Sequence, residues 1–316
     1  MDDLKALEQF YTNDLREPLA RLEKARKRIL LTFLLITVVL VVANVSVFLV
    51  MEGNEKSLAA FTVVGSLIGF ACLASSKMSR WANDFKTTVI SPLLQRIEPS
   101  LTYYPGEKID SGVFHSTCLY EFSQAFDYDG EDLVTGVLVG VPVSFSELHV
   151  TSGSSKSGTT THFRGMFLVA NVDVGIDDSV WLLPRGYLSM REKMGRVSGL
   201  LSGFLNRMSQ REGEEIELDD NEFSKLYQVV AENESTATRL LNDELREKLI
   251  ELRQRSNQDA RVSFQPDRIA VALSTEGNLF EPRLTKTILS YEVVSQFAED
   301  VTHALSIVLA IQPVAR

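Results

Sequence analysis

No ionisable side chain occurs between Ile29 and Met51, and none between Ser57 and Ser76. Runs of 23 and 20 residues would make helices of about 34 and 30 Å, the thickness of a bilayer's hydrocarbon core. Transporters, pumps and channels need a charged or broken element at membrane depth, so two such spans read as an anchor. A pore remains open only if many copies assemble. Asn44 is the polar residue placed for a helix-to-helix hydrogen bond that would hold the hairpin together. A lead-in of 28 residues with many charges and so long an apolar core exceed a cleaved signal peptide.

Cysteine is nearly absent as well. Cys72 lies inside the second run and Cys118 far beyond it, which excludes a disulfide framework and agrees with a reducing compartment. Also missing are a nucleophile elbow, a zinc-protease helix, a dinucleotide glycine fingerprint and a paired-cysteine metal motif. Ser152–Thr159 has the composition of a phosphate loop, but Lys156 precedes the second glycine and the loop joins two strands. No enzyme on these plans is expected, and no cofactor.

Basic residues flank the spans on their outer sides: Arg21, Lys24, Arg26, Lys27 and Arg28 before the first, Lys77, Arg80 and Lys86 after the second. The connector from Glu52 to Lys56 holds two acids against one base. The positive-inside bias therefore puts both termini in the cytoplasm, with Arg26, Lys27, Arg28, Lys77, Arg80 and Trp81 at the membrane interface, although an ordinary packing role explains Trp81 equally well. Residues 1–98 hold 12 basic against 10 acidic side chains, so the rest of the chain has 20 against 32, a net of −12. Such a domain is repelled by phosphate backbones, which argues against nucleic acid and favours neutral or basic protein partners.

Leu4, Leu7, Tyr11, Leu15, Leu19 and Leu22 form one apolar stripe, with Pro18 as a kink; Trp81, Phe85, Val89, Leu93 and Ile97 form another, with Pro92 as its irregularity. Pairing of the two into a stalk would hide both, and a second copy of the chain would do the same. Past Tyr103-Tyr104-Pro105-Gly106 the pattern turns to strands at Leu133–Gly140, Val141–Val150, Thr160–Asn171 and Val180–Leu183, with a hairpin at Ala260–Phe264 and Arg268–Leu273. Helices are expected over Arg196–Gln210, from an N-cap at Ser235 to Leu252, and over Tyr291–Ile311, with an acidic turn over Glu212–Asp220. Hairpins and helices in mixed order, without repeated βα units, predict an α+β domain. The divisions expected are 1–28, a cytosolic amphipathic helix; 29–76, the two-span hairpin; 77–98, a stalk helix; and 99–316, the α+β domain.

If the Gly153–Gly158 loop closes a symmetric hairpin, His149 faces His162, Glu147 faces Arg164 and Phe145 faces Met166. Two imidazoles and a carboxylate can hold zinc, so Glu147, His149 and His162 are the candidate metal or ligand residues, although one bulge would separate them and solvent-facing side chains at a hairpin tip explain them as well. His115 and Cys118 are spaced to share a helical face.

The segments Glu131–Gly136, Phe145–His149, Phe163–Phe167, Ile216–Phe223 and Phe280–Leu284 resemble, in this order, the blocks of a bacterial two-span membrane-protein family whose cytosolic domain is of unknown function. The resemblance covers roughly Lys77 to the C-terminus. It implies a bacterial inner membrane, an envelope protein partner in the manner of relatives near LemA-like proteins, and no established activity or catalytic residue. The function expected is an integral membrane protein presenting an acidic domain to other proteins. The alternative is a metal-dependent enzyme or ligand-binding domain using Glu147, His149 and His162.

Overall fold

The computed structural model of the chain describes residues 2–50, 56–120, 126–154, 158–187, 213–219, 222–256, 259–275, 280–282 and 284–311. The helix expected over Arg196–Gln210 lies outside them. The chain divides into two units, Met1–Leu93 with Phe280–Phe297, and Leu94–Leu279 with Ala298–Arg316. The segment Phe280–Phe297, expected within the 99–316 domain, thus groups with the N-terminal helices.

In the first unit, helices Asp2–Phe10 and Arg16–Val50 flank a π-helical turn, Tyr11–Leu15. Helix Lys56–Phe85 runs into a second π turn, Lys86–Ile90, and then helix Ser91–Ile97. Both wide turns stand just ahead of a proline. Pro18 and Pro92 cannot donate to the carbonyls at residues 14 and 88, and their rings would collide with them. The wider turns contain those carbonyls, so an expected kink becomes a π insertion. The two stripes are paired as anticipated. Leu15, Leu19, Leu22, Trp81, Phe85, Val89 and Leu93 are buried, and the Trp81 indole donates to the Leu22 carbonyl at 3.0 Å. Asn44 donates to the Leu40 carbonyl at 2.7 Å and to the Ser66 hydroxyl at 3.3 Å, which ties the two apolar helices together. Phe33 and Phe70 meet edge to face at 5.7 Å between centroids.

Both apolar helices are long and apolar enough to cross a membrane. Leu34 is 61% exposed, Leu49 76% and Phe61 75%. The core helix of a soluble protein would hide such side chains; here the most apolar stretch of each helix has no buried residue.

The second unit is built on an antiparallel sheet with strands β1 (Thr102–Tyr104), β2 (Phe126–Leu138), β3 (Val141–Ser154), β4 (Gly158–Asn171), β5 (Val180–Pro184), β6 (Glu214–Ile216), β7 (Tyr227–Ala231), β8 (Ala260–Gln265) and β9 (Arg268–Ser274). Their spatial order is β1-β2-β3-β4-β9-β8-β5-β7-β6, all neighbours antiparallel. With the helices described next, this is the expected α+β class. Strand side chains alternate between faces. Leu148, Val150, Phe167, Val169, Trp181 and Ala270 cluster on one face with Phe114, Leu119 and Tyr120. Helices Glu234–Leu240 and Asp243–Ser256 lie against β7 and β8. Burial of a Phe or Leu side chain is worth about 2 kcal/mol, so this two-sided cover is what holds the sheet.

Several local expectations change. The single helix from Ser235 is two helices. Asn233, not Ser235, is the N-cap, accepting the Ser235 N–H at 3.0 Å. Asn242 accepts the Leu245 N–H at 2.9 Å and so starts a second helix, breaking the run at Leu241. Thr102–Tyr104 pairs with Leu133–Thr135 as β1, a strand ahead of the point where strands were expected to begin. Likewise β6 occupies part of the supposed acidic turn. Cys118 follows the short helix Ser111–Ser116 with a φ of 52°, so it shares no helical face with His115.

Candidate functional site

A bulge decides what the hairpin of β3 and β4 presents. At its tip Ser154 pairs with Gly158 and Thr151 with Thr161, but the next pair is Val150 with Phe163. His162 is the extra residue at that bulge, so His149 faces Arg164, Glu147 faces Met166, and Phe145 faces Leu168. The symmetric pairing expected from the loop is not formed, because the tip already closes one residue off it, with Gly153 opposite Thr159, and the bulge shifts the ladder by one more. His162 instead meets the Ser152 hydroxyl at 2.5 Å, and burial pushes its imidazole towards the neutral form. Among the described residues no group of three or more His, Cys, Asp or Glu is placed to hold a metal ion.

The displaced register builds a different arrangement. Leu148 and Val150 belong to the Phe114 cluster, so Glu147 and His149 alternate to the opposite face. On β2, Asp129 pairs with His149 and Glu131 with Glu147. One row across three strands is thus Asp129, His149, Arg164, and the next is Glu131, Glu147, Met166. Like charges directly opposite on a ladder are unfavourable, and the Glu131–Glu147 pair is such a case. With Gly106 and Gly130, the side chains of Asp129, Glu131, Glu147, His149 and Arg164 line an open cleft of about 460 Å³.

Strand β2 makes a further turn beside the cleft. Its register shifts between Glu131 and Val134, and buried Asp132 adopts a φ of 63°. The Tyr103 hydroxyl donates a short hydrogen bond to the Asp132 carboxylate. Burial, reinforced by Asp132 and then by Glu131 and Glu147, pushes the Tyr103 hydroxyl far up, so it stays protonated. The Asp129 carboxyl is held below its usual range by the Gly130 N–H and by Lys108 at 3.2 Å, with His149 adding. Two glycines permit the close approach of strands. A Cβ at Gly130 would stand 2.3 Å from the Glu147 carbonyl; Gly165, with φ of 150°, would set one 2.0 Å from the Leu273 carbonyl.

A cleft lined by three carboxylates, one imidazole and one guanidinium can seat a cationic group against Asp129, Glu131 and Glu147. Of the candidates read from sequence, Glu147 and His149 line this cleft and His162 does not. Asp129 and Glu131 went unnoticed. Their signal was the alternation of acids at Asp127, Asp129 and Glu131 with Phe126, Tyr128 and Gly130, which is the period of a strand. Arg261 was also missed. Its guanidinium lies 3.9 Å from the Tyr120 ring centroid and 4.5 Å from that of Tyr187, donates to the Leu119 carbonyl, and binds Asp259 at 3.0 Å.

Of the residues assigned to the membrane interface, Lys27, Arg28, Lys77 and Arg80 are exposed. Arg26 and Trp81 are buried. Trp81 packs between the stalk helices, and Arg26 turns inward to a buried pair with Glu23 at 2.6 Å and donates to the Leu284 carbonyl, also at 2.6 Å.

Residues 161–312 match the family described as Protein of unknown function (DUF3137). That is slightly under half of the chain. The blocks at 163–167, 216–223 and 280–284 lie within the match, while those at 131–136 and 145–149 precede it, so DUF3137 covers less than the stretch from Lys77 onward. The search of curated proteins returned no match. Among solved structures, the crystal structure of the mycobacterial trehalose monomycolate transport factor A, TtfA, overlaps with 12% identity and a TM-score of 0.30, covering 64% of this chain and 88% of that one. At that overlap the likeness carries no conclusion for this chain.

Proposed function

We propose that the chain is a membrane-tethered adaptor, with two helices crossing a bacterial inner membrane and an acidic α+β domain offered to a protein partner on the cytoplasmic side. The observation behind this reading is the pair of apolar helices whose large side chains stay exposed. Each exposed Leu, Val or Phe forgoes about 2 kcal/mol of burial, which a bilayer supplies. The net −12 of residues 99–316 and the acids of the cleft favour a basic segment on the partner. Metal-dependent chemistry at Glu147, His149 and His162 is less supported, because the register of β3 and β4 parts His162 from the other two.

Photo-crosslinkable residues introduced at Asp129 and Glu131 in living cells test the adaptor reading. A single adduct of constant mass at these sites, weakened by Glu147→Lys, is the expected result. Crosslinks only to lipid or to nothing would overturn it, and stoichiometric zinc, manganese or iron in the purified protein would favour the metal reading instead.

A further inference from the structure

A second cleft, again of about 460 Å³, opens in the first unit where the charged lead-in meets the first apolar run. Its lining includes Glu23, Lys24, Lys27, Arg28, Leu31 and Leu289. We propose that this cleft binds the headgroup of an anionic phospholipid, an inference that rests on the chain being embedded in a membrane.

Residues 24, 27, 28 and 31 are spaced by three and four, so they share one stripe of helix Arg16–Val50. Three cations come first and a leucine follows one turn further on. Lys24 and Leu31 are separated by about 10 Å of helix rise, close to the depth over which headgroups give way to acyl chains. The cations are exposed, and neither Lys24 nor Arg28 holds an ion pair among the described residues. Lys27 lies 3.9 Å from Glu23. Glu23 is the one acid in the lining, and its charge is already engaged. It accepts from Arg26 at 2.6 and 2.8 Å and from the Ile288 N–H at 3.3 Å, and it is buried. The cleft therefore shows a surplus of positive charge to a phosphate. Leu31, 56% exposed, and Leu289, 38% exposed, offer apolar contact for the glycerol and the start of the acyl chain. A basic pocket beside a spanning helix is the arrangement that captures anionic headgroups. Free phosphate would satisfy the cations but leave both leucines in water.

Native mass spectrometry of the full chain in detergent, titrated with dioleoyl phosphatidylglycerol or dioleoyl phosphatidylcholine, tests the assignment. One phosphatidylglycerol should be retained at concentrations where phosphatidylcholine is lost. Each of Lys24→Gln, Lys27→Gln and Arg28→Gln should weaken retention about fivefold, while the double variant Lys77→Gln, Arg80→Gln leaves it unchanged. Thermal melts of each variant separate lost binding from lost folding. Equal retention of the two lipids, or equal losses in the Lys77/Arg80 control, would overturn the site. Displacement by millimolar glycerol 3-phosphate would assign it to a soluble phosphate, and capture of an acidic peptide in place of the lipid would assign it to a protein; either overturns the lipid. Resistance to alkaline extraction, measured on membranes of the same cells before detergent is added, shows whether a failure belongs to the site or to the membrane reading.

Discussion

Glu23 joins residues that are far apart in the chain. Through Arg26 and the Ile288 N–H it clasps the segment around Leu284–Ile288 to helix Arg16–Val50, and the Tyr11 hydroxyl fastens the same segment by donating to the Leu289 carbonyl at 2.5 Å. Tyr11 and Tyr291 then meet edge to face at 5.6 Å. Breaking one side of a buried pair leaves an uncompensated charge, so Arg26→Ala should destabilise the first unit by about 3 kcal/mol, read as a lower melting temperature in detergent. The Arg26 hydrogen bond holds the Glu23 carboxyl below its ordinary value of 4.5. A depressed carboxylate contributes stability above its unfolded value and loses it as the pH falls through the folded one. Melts of the wild type should therefore lose stability below about pH 4.5, and Glu23→Gln should show less of that acid dependence. A parallel pH profile for the two proteins would refute the clasp. None of this was legible beforehand, because Arg26 belongs to a run of basic residues that all read as interfacial, and its partner segment is some 260 residues away.

At the level of elements, local chemistry set the type and partners set the position. The hairpin of β8 and β9 was readable because Pro266-Asp267 interrupts two runs with apolar residues at every second position, and the structure pairs Gln265 with Arg268 across it. Strand β2 was readable only from Leu133. Its first half, Phe126–Asp132, is rich in Asp and Gly, which strands disfavour, and it is extended because β3 supplies the ladder. Neither the off-centre tip nor the bulge at His162 could be read, since each shifts the facing pairs by one without changing composition. Gly165 beside it is the most exposed prediction at this scale. Gly165→Ala places a methyl against the Leu273 carbonyl and should cost at least about 3 kcal/mol, with hydrogen exchange accelerating along β4 and β9. Unchanged exchange in those strands would show that the ladder yields more easily than its geometry implies.

For the whole molecule, the decisive property is a division of solvent preference along the chain. The described apolar helices expose their leucines and valines, and the acidic part has a core of its own. If the positive-inside bias holds, a cysteine introduced by Asn54→Cys in the connector should react with an impermeant thiol reagent in intact cells, while Cys118 reacts only after permeabilisation. The opposite pattern would invert the topology and place the acidic domain outside. The uncharged runs were sufficient by themselves to point to the helix pair, and the strand runs mixed with helices to the α+β class, because solvent preference and side-chain period are properties of local composition. Only the tertiary structure decided that Arg26 and Trp81 turn inward, that Phe280–Phe297 groups with the N-terminal helices, and that Asp129, Glu131, Glu147, His149 and Arg164 share a cleft while His162 does not. Those outcomes depend on strand register and on hydrogen bonds between distant segments, whose energies exist only once both partners are in place.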